Sequence, residues 1–138
     1  MSSERIDGKF LARMVGEPSF HMENGKQYIS FFKKVSPQPR DELDIEIYRE
    51  LLKKHLKSSN PKYIALRCLD VSPEDLPPET IYEYYWSVST PIDEIKEIFE
   101  LIEKIETQYS RGVIKVVNEL LEKEEMDIDD VFKLILEE

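Results

Sequence analysis

Between Gly8 and Val35 apolar and polar positions alternate with a period of two. In "GKFLARMVG", residues 8–16, Phe10, Ala12 and Met14 fall on one face and Lys9, Leu11 and Arg13 on the other, which predicts a strand. "EPSFHMENGKQYISFFKKV" predicts two more strands around Asn24 and Gly25, the dipeptide that best tolerates the positive φ angles of a two-residue hairpin turn. "VSPQPRD" then interrupts the ladder, because neither proline can donate a backbone hydrogen bond.

From Asp41 to Lys57 the period lengthens. Leu43, Ile47, Tyr48, Leu51, Leu52 and His55 or Leu56 recur at three- and four-residue steps, so a helix is predicted, although "ELDIEIY" alone also fits a strand. "KYIALRCLDV", residues 62–71, reads as a buried strand, and "IYEYYWSVS", residues 81–89, as another by its aromatic and β-branched content. Ser89 or Thr90 followed by Pro91 then marks a helix start. Ile92, Ile95, Ile98, Phe99, Ile102 and Ile105 form that helix's inward stripe. A second helix, from about Ser110 to Lys123, is expected to bury Val113, Val116, Val117, Leu120 and Leu121; a third, from about Asp127, turns Ile128, Val131, Phe132 and Ile135 inward.

The fold class that follows is α+β: a small antiparallel sheet, open or closed into an OB-like barrel, followed by a C-terminal helical segment. Residues 1–89 form the β-rich domain with one inserted helix, and residues 90–138 the acidic helical part.

Charge sharpens that division. Residues 1–72 hold 13 Lys and Arg against 10 Asp and Glu, a net of +3, whereas residues 73–138 hold 6 against 19, a net of −13. The first half can therefore carry a basic face in a molecule whose formal charge is −10. The apolar runs are too short to cross a bilayer and the N-terminus lacks a signal-peptide core, so a soluble, cytoplasmic protein with no membrane partner is expected. Cys68 is the single cysteine, read as a buried thiol, and with His21 and His55 it makes no zinc-ligand set. The bias toward Glu, Lys and Ile accompanies charge networks in proteins of hyperthermophiles, an archaeal source included.

Candidate chemistry concentrates on the strand 26–34. Lys26, Tyr28, Ser30, Phe32 and Lys34 share one of its faces, and if Lys9 and Arg13 of the neighbouring strand join them, a small cationic sheet with two rings results. Single-stranded nucleic acid needs that mixture, rings for stacking and cations for phosphates. The competing fate of Tyr28 and Phe32 is burial under the helix that starts at Pro91, with lysines snorkelling at its rim. The cluster Tyr82, Tyr84, Tyr85 and Trp86 offers the residue types of a protein-binding hot spot, or else belongs to the core.

"FLARMVGEPSFHMENGKQYISFF" resembles the strand and hairpin pattern of OB-fold single-stranded DNA-binding proteins of the archaeal replication protein A group, with "YIALRCLDVSP" standing for a late barrel strand. "SRGVIKVVNELLEKEEMDIDDVFKLILEE" is similar to the first helices of the winged-helix module found in that family's middle subunits. The resemblance implies a barrel that touches single-stranded DNA and a helical tail that touches protein. The helix predicted between the third and fourth strands departs from that pattern.

No glycine-rich phosphate loop, serine elbow, HExxH or CxxC pattern occurs, and "MDIDDV" lacks the glycine and final glutamate of an EF-hand loop. No catalytic residue, metal or cofactor is expected. The leading expectation is an accessory module binding single-stranded nucleic acid through Lys9, Arg13, Lys26, Tyr28, Phe32 and Lys34. The alternative is a protein-binding or self-associating factor without a nucleic-acid role, acting through its acidic helices and Tyr84, Tyr85 and Trp86.

Overall fold

The structure is a computed structural model that describes residues 8–56, 63–72 and 82–137. The elements run α1 (Gly8–Arg13), β1 (Val15–Glu23), β2 (Lys26–Lys34), α2 (Glu42–His55), β3 (Tyr63–Asp70), β4 (Tyr82–Pro91), a 3-10 turn (Ile92–Glu94), α3 (Ile95–Lys123) and α4 (Ile128–Leu136). They fall into two compact units. The sheet unit takes Met1–Gln38 and Ser58–Phe99; the helical unit takes Pro39–Lys57 and Glu100–Glu138.

In the sheet unit four antiparallel strands lie in the order β1-β2-β4-β3. The hairpin forms at Asn24 and Gly25, whose φ angles of 50° and 78° are those its turn requires. β1 and β3 are both edges, so the sheet is open and the expected barrel closure is not present. Residues 8–13 are also helical rather than extended. Phe10 and Met14 lie four apart and suit one helical face as well as one strand face, and Phe10 stacks on Phe99 at 5.0 Å, a long-range contact that decides between the two.

One face of the sheet is the core. Ile29 and Phe31 of β2, Trp86, Val88 and Thr90 of β4, and Ile64 of β3 are buried there. Phe31 stacks on Phe99 at 5.3 Å with the rings 6° from parallel, so the start of α3 covers this side. The predicted Ser89 or Thr90 cap is not used: β4 runs to Pro91, and the Thr90 hydroxyl donates to the Pro91 carbonyl instead. At the far end of the ladder the Gln38 amide donates to the carbonyls of Val35 and Tyr84 and accepts from the Tyr84 N–H, extending β2 and β4 by one side chain. Cys68, expected to be buried, is exposed, since it lies toward the end of an edge strand.

The helical unit is built on α2, α3 from Glu100 onward, and α4. Asp41 caps α2 by accepting from the Asp44 N–H at 2.9 Å, acidic residues occupy its first turn and Lys53, Lys54 and His55 its last, all in accord with the helix dipole. Ile47, Tyr48, Leu51, Ile102, Ile105, Tyr109 and Ile135 form the core, with Tyr48 and Tyr109 stacked at 4.3 Å. Residues 95–123 form one helix of 29 residues, with no break near Ser110. Gly112 sits inside it because a Cβ there would stand 2.6 Å from Ile135 Cγ1 and 2.8 Å from its Cα, so only glycine lets α4 approach this closely.

Candidate interaction surfaces

Strand alternation and the β2–β4 register place Tyr28, Ser30, Phe32 and Lys34 on the sheet face opposite the core, together with Tyr85, Ser87 and Ser89. Lys26 begins the same row. From β3, Tyr63 and Arg67 join it, with the Arg67 guanidinium donating to the Tyr63 hydroxyl at 3.1 Å; both are exposed and neither was singled out from sequence. Rings and cations thus share a side, but the two rings singled out from sequence are not open stacking platforms. Tyr28 is only 5% exposed and packs against the His21 ring at 5.3 Å. Phe32 is half-buried, edge-on to Tyr85.

The cations of this face stand among carboxylates. Lys34 Nζ lies 3.1 Å from a Glu83 oxygen, and the Tyr85 hydroxyl donates to the same oxygen at 2.9 Å. The hydrogen bond from Tyr85, and then that from Lys34, hold the Glu83 carboxyl below its usual pKa; the same bond raises that of the Tyr85 hydroxyl. Lys26 is the register partner of Glu23. Lys9 and Arg13 are not on this face. Both belong to α1, and the Arg13 guanidinium lies 5.8 Å from the Phe99 ring centre, on the core side of the sheet.

Of the proposed partner-binding cluster, Trp86 is fully buried in the core, Tyr85 is buried on the opposite face and Tyr84 is half-buried. Strand alternation sends neighbours to opposite sides, so three consecutive aromatic residues cannot form one surface patch.

Charge also distributes differently in space than along the chain. Counted over the full sequence, the sheet unit holds 9 Lys and Arg against 12 Asp and Glu, a net of −3, and the helical unit 10 against 17, a net of −7. The basic first half of the sequence includes Pro39–Lys57, which belongs to the helical unit.

The surface that sequence reasoning missed lies on that unit. Val117, Leu120 and Leu121, expected in the core, are exposed, Leu121 by 79% and Val117 by 49%, and Ile114 is 62% exposed. Ile114, Val117 and Leu121 lie within about 60° of arc at 100° per residue, one stripe along two turns. On the same stretch Gly112 faces α4, and Val113 and Val116, expected in the core, are half-buried. The signal was the width of the apolar arc, six apolar residues between Val113 and Leu121, more than one packing face needs. Ile128, also expected inward, is exposed at the start of α4.

Below the stripe α3 ends at Glu124, whose φ of 65° is left-handed and whose N–H donates to the Leu120 carbonyl at 3.0 Å. Leu120, Met126, Glu124, Glu125, Asp127 and Asp130 line an open notch of about 460 Å³. Lys123 reaches Glu119 at 2.9 Å, and that hydrogen bond raises its pKa. Among the described residues no ion pair engages the side chains of Glu124, Glu125 or Asp127.

The other polar groups of the helical unit serve its packing. Asp44, buried beside Tyr109, accepts from the Arg40 N–H at 2.9 Å and from its Nε at 3.4 Å. Gln108 donates to the Ile135 and Leu136 carbonyls and, through its oxygen, meets His55 Nε2 at 2.6 Å. Lys54 also donates to the Leu136 carbonyl. These bonds satisfy the last carbonyls of α4. Among the described residues no three His, Cys, Asp or Glu side chains form a group that could hold a metal ion, and no helix is long and apolar enough to cross a membrane. No known family, curated protein or solved structure matches the chain.

Proposed function

We propose that the chain is a non-enzymatic binding module whose partner is a protein recognised by the helical unit. The observation that carries this reading is the apolar stripe Ile114, Val117 and Leu121 on the outer side of α3. Singly exposed apolar residues are ordinary, whereas a contiguous row at helical spacing is what helix-in-groove and helix-on-helix recognition use. The titratable groups with displaced pKa values, Tyr48, Tyr109, Glu83 and Tyr85 among them, owe the displacement to burial or to hydrogen bonds that hold the fold together.

Binding of single-stranded nucleic acid on the sheet face is the second reading, favoured by the side that Tyr28, Phe32, Lys26 and Lys34 share with Tyr63 and Arg67. It weighs less because Lys34 is engaged by Glu83 and the sheet unit itself is net acidic. Stacking and phosphate neutralisation both need open groups.

A photo-crosslinking residue at position 117, compared with one at exposed Glu46 on α2, tests the lead. The expected result is a discrete cross-linked protein species from position 117 and none from position 46. A titration with labelled single-stranded DNA at low salt completes the test: saturable binding lost in Lys26→Glu and Lys34→Glu, with no cross-link at 117, would replace the first reading by the second.

A further inference from the structure

The stripe and the notch below it are neighbours along α3. Glu124 follows Leu120 and Leu121 by four and three residues, and Leu120, next to Leu121 in sequence, lines the notch. An apolar row therefore ends beside an open recess lined by two apolar side chains and four carboxylates. Such a recess suits a lysine or arginine, whose methylene stem lies on Leu120 and Met126 while its head meets Glu124, Glu125 and Asp127. The helical unit as a whole carries a net of −7.

We propose, resting on the protein-binding reading above, that this face docks a basic amphipathic helix of another protein. Its apolar residues, at three- and four-residue spacing, would lie along Ile114, Val117 and Leu121, and a cationic residue one turn beyond them would enter the notch. Charge selects this occupant over a second copy of the chain, which would bring another ten net negative charges and a second set of the same carboxylates to the contact. It also selects against a neutral or acidic helix, which would fill the stripe and leave the carboxylates unpaired or repelled.

The test is fluorescence anisotropy with the full chain and a labelled peptide of lysine and leucine in an amphipathic helical pattern. Two controls go with it, a scrambled peptide of the same composition and a charge-inverted glutamate and leucine version. The patterned basic peptide is expected to bind, the controls to bind at least roughly tenfold more weakly, and added salt to weaken the interaction. Val117→Asp with Leu121→Asp should abolish binding; Glu124→Gln with Glu125→Gln should weaken it and flatten its salt dependence, with unchanged circular dichroism in both.

Equal binding of the scrambled peptide would mean undirected attraction between charges and would overturn the proposal. So would a dimer in sedimentation that Leu121→Asp dissolves, since the stripe would then belong to a second copy. If the peptide fails while position 117 still cross-links to a protein, the basic-helix assignment falls and the broader reading stands. If both fail, both fall.

Discussion

The two units leave different kinds of apolar side chain open to solvent. In the sheet unit aromatic residues meet both fates: Trp86 is fully buried, Phe10, Phe99 and Phe31 stack and Tyr28 on the outer face is shielded by His21, whereas Phe20, Tyr63 and Tyr82 are exposed. In the helical unit unremarkable aliphatic residues are left out, with Ile114, Val117 and Leu121 open to solvent beside a well-packed interior. Residue type is thus a poor guide to which surface is available. A ring on an open sheet is covered only where a neighbour or a helix lies over it, and a helix with a broad apolar arc can cover only part of it by packing one side.

The sharpest way to break this contrast is in the two cores. Trp86→Ala should cost about 3–5 kcal/mol, read by circular dichroism in urea, if its burial is as central as the contacts imply. A loss below about 1 kcal/mol would show that the sheet unit's core does not depend on it. Gly112→Val should cost about 1–3 kcal/mol, because its side chain meets the Ile135 backbone, and the loss should appear in the helical signal.

A pH series sharpens the comparison further. Burial, the largest cause for both, raises the pKa of the Tyr48 and Tyr109 hydroxyls above the ordinary value of 10.0, and for Tyr109 the hydrogen bond to Asp44 adds to it. In the unfolded chain both ionise near that value while the folded protein still holds the protons. Their stabilisation is therefore complete below about pH 10 and declines as the pH rises beyond it. The urea midpoint of the helical signal should fall as the pH rises above about 10, the ordinary tyrosine value, and Tyr48→Phe should flatten that fall. A midpoint that does not move would contradict the burial of these hydroxyls.

The smallest expected effect is the most telling. Leu121→Asp should alter stability by no more than about 0.5 kcal/mol, because the side chain is 79% exposed. Destabilisation comparable to that of Gly112→Val would mean that the stripe is part of the core after all.

Much of the local structure was legible because local chemistry determined it. Asn24 and Gly25 fixed the hairpin and Asp127 preceded α4, as their residue types suggest, and the helix expected from Asp41 starts there, on a cap that was not singled out. What escaped depended on partners distant in sequence. The stretch from Gly8 to Arg13 satisfies both periods, and Phe99 decides for the helix. The apparent break before Ser110 is Gln108, a polar residue on an inward face, whose amide holds the Ile135 and Leu136 carbonyls. Similarly the charge split along the chain did not survive folding, since α2 joins the acidic helices instead of the sheet. Of the candidate docking stripe Val117 and Leu121 were assigned to the interior and Ile114 was not singled out, for lack of any rule saying which half of a wide apolar arc is covered.

The chain's single tryptophan, Trp86, lies wholly within the sheet unit, while the helical unit has none. The molecule therefore comes with a built-in optical label for one of its halves. Emission would follow the melting of β4's surroundings while far-ultraviolet ellipticity is dominated by α2, α3 and α4, so whether the halves come apart in one event or two can be read by overlaying two curves from an unlabelled sample.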